Sequence, residues 1–174
     1  MSNLVNPSQL DAEALDGVLL GQVRSGLAGA SNVAIVGIHS GGAWLAERLA
    51  RDLDLVERLG VLDVSFYRDD FAQKGLHADV KPTRIAFDVA GATILLVDDV
   101  LYTGRTTRAA INELFDYGRP AKIMLAALVD RGERQLPVAA DFVAAFTAVP
   151  PGQALVLKQA GDGTFTLTID THHA

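Results

Sequence analysis

The chain has 174 residues, 49% of them hydrophobic and 21% charged, no cysteine, and a formal net charge of −6. That length fits one domain over residues 1–174, and the apolar content is too high for a disordered chain. The lack of cysteine excludes disulfides, thiolate metal sites and a cysteine nucleophile and points to the cytosol. No stretch approaches the ~18 apolar residues of a membrane helix, no signal-peptide pattern opens the chain, and the acidic balance works against broad nucleic-acid binding.

In chain order, Asn6-Pro7-Ser8 supplies helix-start signals, and Leu10, Ala14, Leu15, Val18, Leu19 and Val23 follow at helical spacing, which predicts an amphipathic N-terminal helix. Val33 to Ile38 is a nearly all-apolar run that ends at His39-Ser40-Gly41-Gly42, and residues 43–53 carry apolar side chains at helical intervals. A buried strand, a glycine loop and a helix are expected there. Between residues 61 and 89, Leu62, Val64 and Phe66 alternate with polar residues, and residues 71–84 are polar with Gly75 and Pro82, the pattern of a hairpin-like flap with a mobile tip.

The strand, loop and helix order returns with an apolar run at 92–97, a loop at 98–104 and a helix from about residue 105 to 115, stopped near Gly118-Arg119-Pro120. A third buried strand is expected at 123–129. Fully apolar strands alternating with helices predict an α/β fold, a parallel sheet covered on both faces, with ligands at the carboxyl ends of the strands and the three following loops sharing one cleft. After Phe142 to Phe146 and the turn Pro150-Pro151-Gly152, two short runs flanking Gly161-Asp162-Gly163 predict a terminal hairpin over about 153–170. His172-His173 reads as an unstructured tail.

The chemistry concentrates in ILLVDDVLYTGRTT, residues 94–107. Thr103, Thr106 and Thr107 offer hydroxyls, Gly104 lets the backbone approach an anion, and the amides opening the next helix sit at its positive dipole end, so the loop is suited to a phosphate. Asp98 and Asp99, just before it, can accept from a ribose 2′- and 3′-hydroxyl or hold a hydrated Mg²⁺ through water. An acidic pair that only caps a turn is the competing reading. Neither glycine loop reads G-x-G-x-x-G, which disfavours a dinucleotide-binding oxidoreductase.

VDDVLYTGRTT, residues 97–107, resembles the phosphoribosyl-pyrophosphate signature of type I phosphoribosyltransferases, and Leu101-Tyr102 within it is similar to the pyrimidine operon attenuation regulators with uracil phosphoribosyltransferase activity. YRDD at 67–70, YGRPAKI at 117–123 and LVDRGERQLPVAADF at 128–142 match the same family, so the resemblance covers most of residues 33–142. It implies a three-layer type I phosphoribosyltransferase fold, with a central, mostly parallel sheet flanked by helices and a flexible β-hairpin hood. It also implies transfer of ribosyl 5-phosphate from phosphoribosyl pyrophosphate to uracil, giving UMP and pyrophosphate with Mg²⁺ as cofactor. In that picture Asp98 and Asp99 hold the ribose and, indirectly, the metal, and Val97 leads into them. Val100, Leu101, Tyr102, Thr103, Gly104, Arg105, Thr106 and Thr107 hold the 5′-phosphate. The loop His39, Ser40, Gly41, Gly42 approaches the pyrophosphate, Arg131 lies near the uracil pocket, and Arg68 swings in with the flap to neutralise the leaving group.

Two departures stand out. The family's pyrophosphate loop reads Lys-Thr-Arg-Gly where this chain has His39-Ser40-Gly41-Gly42, so two fixed positive charges are missing beside a polyanion. The family's second activity, messenger-RNA binding by a basic surface on a dimer, draws on the first helix and the segment after DRG. Here that helix has only Arg24 as a base, and Glu133, Ala139, Ala140, Ala144 and Ala145 follow DRG, with Arg134 the main cation left. RNA is therefore disfavoured as a partner, and a homodimer or higher homo-oligomer is expected. The leading expectation is a uracil phosphoribosyltransferase. The alternatives are another base acceptor and a nucleotide-sensing regulator whose catalysis is vestigial.

Overall fold

In the computed structural model, which describes residues 3–64 and 82–171, a five-stranded parallel sheet forms the centre. Its strands are β1 (Val33–Ile38), β2 (Leu59–Leu62), β3 (Thr93–Leu101), β4 (Lys122–Asp130) and β5 (Phe142–Phe146), in the order β2-β1-β3-β4-β5. The helices are α1 (Ala12–Gly26), α2 (Gly41–Asp52) and α3 (Arg105–Tyr117). An antiparallel pair, β6 (Gln153–Gln159) and β7 (Phe165–Thr171), closes the described chain.

Side chains alternate across the central strand, so one strand feeds two cores. Leu95 and Val97 join Leu19 and Val23 of α1, Leu45 and Leu49 of α2, and Leu155 and Phe165 of the hairpin. Ile94 and Leu96 face the other way, with Ala109, Ala110 and Leu114 of α3. The result is three layers, as expected, with α1 and α2 on one face and α3 on the other.

The sequence reading needs correction at three places. The signals at Asn6-Pro7-Ser8 start a separate 3-10 turn, Pro7–Gln9, in which Asn6 Oδ1 accepts from Ser8 N at 3.0 Å. The chain then runs extended through Leu10, and Asp11 caps α1 by accepting from Glu13 N at 3.1 Å and Ala14 N at 3.2 Å. Two capping side chains in close succession give two short starts where one continuous helix was expected. Second, β3 runs on to Leu101, so Asp98 and Asp99 belong to the strand and not to the loop, because β4 continues to pair alongside it through Val100↔Val129 and Leu101↔Asp130. Third, the region expected to open the flap first adds β2 to the sheet edge, parallel to β1, before Val61 makes an antiparallel bridge to Arg84. The tip of that expected flap, including Phe66 and Gly75, lies outside the described residues, as does the His172-His173 tail. Phe142–Phe146, which the sequence reading assigned to no element, is the far edge strand of the main sheet.

A partly buried ionic cluster fastens the hairpin to the helices. Arg48 of α2 donates to Glu13 at 2.8 Å, to Asp16 at 3.2 Å and to the Gly163 carbonyl at 2.6 Å, while its guanidinium lies 3.6 Å from the Phe165 ring centroid. Glu13 in turn accepts from Phe165 N at 2.7 Å. Asp16 is buried, and its Oδ1 has no hydrogen-bond partner. Arg48→Met strips the counter-charge from that carboxylate and is expected to cost about 3–5 kcal/mol in urea unfolding.

Burial raises the Asp16 carboxyl above its ordinary 3.8, with Arg48 opposing the shift. A carboxyl whose folded pKa is raised contributes stability that is full below the unfolded value and is lost as the pH rises through the folded one. Asp16→Asn should therefore gain in melting temperature relative to the wild type as the pH is taken from about 4 to about 7, a range that spans carboxylate ionisation.

Candidate functional site

Strands β1, β3 and β4 lie side by side and parallel, so the loops that leave their carboxyl ends meet at one edge of the sheet. A cavity of about 560 Å³ opens there. It is lined by the end of β3 and the following loop, by the first turn of α3, by Arg131, and by residues 152–156 at the start of the terminal hairpin.

Asp98 is 4% exposed and Asp99 is half-buried. Each uses one carboxylate oxygen on the next amide of the chain: Asp98 Oδ1 accepts from Asp99 N at 2.9 Å, and Asp99 Oδ1 accepts from Val100 N at 2.8 Å. The strand's alternation sends the two side chains to opposite faces. Asp99 goes to the face of α2, where a Cβ added to Gly41 would lie 2.2 Å from Asp99 Oδ2.

The next segment carries the threonines and the start of α3. Thr103 Oγ1 accepts from Arg105 N at 3.2 Å, and Gly104 precedes α3 at φ 91°, a left-handed conformation that suits glycine. Gly104 has no side chain to cap α3, and the first residues of the helix, Arg105, Thr106 and Thr107, line the cavity. Thr107 is 1% exposed, and its hydroxyl is buried without a hydrogen-bond partner. A native protein rarely leaves such a group unmatched unless something absent from the chain completes it.

Arg131 is 7% exposed and joins the two sides of the cavity. Its guanidinium lies 3.9 Å from the Tyr102 ring centroid, Nη1 donates to the Gln153 carbonyl at 3.2 Å, and Nη2 reaches the Val149 carbonyl at 3.5 Å and Glu133 at 3.4 Å. Its Nε is buried with no partner.

Of the sequence-predicted residues, Asp98, Asp99, Val100, Leu101, Tyr102, Thr103, Gly104, Arg105, Thr106, Thr107 and Arg131 line the cavity. Val97 lies in the core beneath it. His39, Ser40, Gly41 and Gly42 do not line the cavity; they stand beside it. The His39–Ser40 peptide is cis, His39 N donates to Leu62 O at 2.9 Å, and Gly41 and Gly42 form the first turn of α2 against β3. Arg68 lies outside the described residues. Sequence reasoning missed Gly152, Gln153, Ala154, Leu155 and Val156. No motif marks them, and only the turn at Pro150-Pro151-Gly152 hints that the chain folds back.

Among the described residues no three His, Cys, Asp or Glu side chains cluster closely enough to hold a metal ion by themselves. Two hard carboxylates, Asp98 and Asp99, suit a Mg²⁺ that takes its remaining ligands from water and a phosphorylated substrate.

Comparison with known proteins gives the family of the chain. The phosphoribosyl transferase domain family matches residues 9–154. The bifunctional protein PyrR of Ralstonia nicotianae is 56% identical over 165 residues, covering 92% of this chain and 94% of that protein. The bifunctional protein PyrR of Nitrosococcus oceani is 53% identical over 126 residues, 71% of each chain. Among solved structures, a purine phosphoribosyltransferase from Pyrococcus horikoshii shares 26% identity at a TM-score of 0.59, over 78% of this chain and 82% of its own. A hypoxanthine phosphoribosyltransferase from Staphylococcus aureus, 17% identical at a TM-score of 0.61 over 80% of this chain and 76% of its own, shares the fold. A family match over most of the length, with relatives more than half identical, establishes that the chain belongs to the phosphoribosyltransferase family and, within it, to the bifunctional PyrR proteins.

Proposed function

We propose that this chain transfers the ribosyl 5-phosphate group of phosphoribosyl pyrophosphate to N1 of uracil. The observation that carries the reading is one continuous segment, residues 98–107, that lines the cavity with an acidic pair followed by a threonine- and glycine-bearing helix start, with the Thr107 hydroxyl buried and unmatched. A sugar phosphate offers what each part lacks. The carboxylates of Asp98 and Asp99 accept from the ribose hydroxyls. The 5′-phosphate takes the hydroxyls of Thr103, Thr106 and Thr107 together with the amides of the α3 start.

In the reaction the bond from the anomeric carbon to pyrophosphate breaks, with the electron pair leaving on pyrophosphate. The N1 lone pair of uracil makes the new bond, and the N1 proton passes to the departing pyrophosphate. The protein's part is orientation, exclusion of water and a field that suits a cationic ribose, for which the two carboxylates beside the sugar are well placed. Asp98 and Asp99 would also hold Mg²⁺, which when bound neutralises charge on the leaving pyrophosphate. Arg131, packed on Tyr102 and holding the hairpin by the Gln153 carbonyl, sets the wall against which the base lies.

A nucleotide-binding regulator with weak catalysis is the second reading, favoured by residues 39–42, which offer no Lys or Arg beside the departing pyrophosphate. RNA binding itself has little support in the surface charge. The net charge is −6, Arg131 is buried, and Arg134 is spent on contacts within the chain.

One assay separates the readings. The purified chain is given phosphoribosyl pyrophosphate and Mg²⁺ with uracil, hypoxanthine, guanine or orotate in turn, and RNA binding is titrated against salt. UMP formed only from uracil, with RNA affinity no better than the weak, steeply salt-dependent level of non-specific contacts, is the expected result. Binding of UMP without turnover of any base, together with tight RNA binding, would favour the regulator. Product from a purine alone would move the base specificity.

A further inference from the structure

The loop that lines the phosphate end of the cavity makes few hydrogen bonds of its own, and its position is imposed from behind. The segment after β4, residues 130–138, runs along its outer side. Arg131 N donates to Leu101 O at 3.0 Å, and Gln135 N and Leu136 N both donate to Thr103 O, at 2.9 and 3.2 Å. Gln135 Oε1 accepts from Arg105 Nε at 2.9 Å. A Cβ on Gly104 would come within 3.2 Å of Val138, so the two segments are in contact along their length.

Arg134 gathers this packing into one side chain. Its Nη1 donates to the Tyr102 carbonyl at 2.6 Å and its Nε to the Val138 carbonyl at 2.9 Å. Its Nη2 forms a short contact with the Asp130 carboxylate, and the other oxygen of that carboxylate accepts from Gly132 N at 2.9 Å. The Arg134 side chain is 22% exposed and that of Asp130 is 9% exposed. A guanidinium can serve three acceptors in a plane at once; an ammonium on a flexible stem cannot hold the same three fixed.

We infer that Arg134 is a positioning residue for the phosphate loop. By tying Tyr102, Val138 and Asp130 together it holds residues 102–107 where the donor's 5′-phosphate is received, and it does so without touching substrate. The inference rests on the proposed transfer reaction only for the identity of the ligand. Arg134 does not line the cavity.

The test compares Arg134→Met and Arg134→Lys with the wild type, with Arg58→Met as a control. Arg58 is bonded to the Val33 and Asn32 carbonyls at the opposite end of the sheet. Steady-state constants for each substrate, calorimetric UMP binding and amide exchange of residues 102–107 are measured on the full chain. The expected result for Arg134→Met is faster exchange confined to that loop, UMP affinity and the KM for phosphoribosyl pyrophosphate each worsened about tenfold or more, and a KM for uracil within about twofold of the wild type. Arg134→Lys falls between, because it keeps the charge opposite Asp130 and loses the fork. Arg58→Met changes neither KM nor UMP affinity. Wild-type UMP affinity and donor KM in Arg134→Met, or equal worsening for donor and uracil, would overturn the positioning role while leaving the transfer reading intact. A wild-type chain that binds neither UMP nor donor would overturn the transfer reading and this inference with it.

Discussion

Asp99→Asn is expected to leave the chain folded and to lower kcat/KM for phosphoribosyl pyrophosphate on the order of 10²–10³-fold, the scale seen when one fixed electrostatic partner of a reacting centre is removed. The exchange is isosteric, and Asn retains an oxygen able to accept from Val100 N, a bond now 2.8 Å long. The charge is what disappears. With it goes the favourable field at a ribose that becomes cationic as pyrophosphate departs, and one of the two carboxylates available to Mg²⁺. Asp98→Asn should lose activity to a similar degree and some stability as well, since Asp98 is only 4% exposed and sits among packed neighbours at the end of the central strand.

The competing account, in which the pair merely caps the chain where it leaves the sheet, makes a different forecast. Each carboxylate does bond the following amide. A cap contributes about 1 kcal/mol to stability and nothing to turnover. If Asp98→Asn/Asp99→Asn kept kcat/KM within about threefold of the wild type, far short of the loss expected for charge at the reacting centre, the cap account would stand and the acidic pair would leave the proposed machinery. UMP affinity provides the check that does not depend on turnover, because the ribose hydroxyls are present in the product too.

What the sequence disclosed and what it hid follow from how local each signal is. Val33–Ile38 was legible to the residue because an apolar run between Asn32 and His39 has nowhere else to go. The hairpin was legible from Gly161-Asp162-Gly163, and one wall of the cavity from the order of strand, acidic pair and threonine loop. The extension of β3 through Asp98 and Asp99 was not, since two adjacent carboxylates read as a strand end and only pairing with β4, which no local pattern encodes, carries the strand past them. Nor was the second wall of the cavity. Residues 152–156 reach it because the hairpin is carried there by Arg48 and Arg131, contacts that span 115 residues to Gly163 and 22 to Gln153. The glycine pair at 41–42 was read from the family resemblance as part of a loop that approaches the pyrophosphate. The structure adds a packing demand there, because α2 begins at Gly41 and its first turn lies on the backbone of β3.

That demand predicts that two neighbouring glycines will fail in different ways. A Cβ on Gly42 would lie 2.4 Å from the Val97 carbonyl oxygen and 3.1 Å from Asp98 Cα. Both belong to the backbone of the central strand, which is paired on both sides and cannot yield. Gly42→Ala should therefore push α2 off the sheet and cost about 1–3 kcal/mol, the usual scale for overpacking a filled core, measured as a drop in the urea midpoint at constant m-value. At Gly41 the obstacle is a side chain: the added Cβ would lie 2.2 Å from Asp99 Oδ2 and 2.7 Å from its Cγ. The carboxylate can rotate away but Asp99 Cβ, 2.9 Å from the added atom, moves only with β3, so Gly41→Ala should cost less stability than Gly42→Ala while moving Asp99 out of position and lowering kcat/KM toward the level of Asp99→Asn, on the order of 10²-fold. The pair thus separates support from chemistry within two adjacent residues. Gly41→Ala with wild-type turnover would show that Asp99 works from more than one position, and the close approach of α2 to β3 would then serve packing alone.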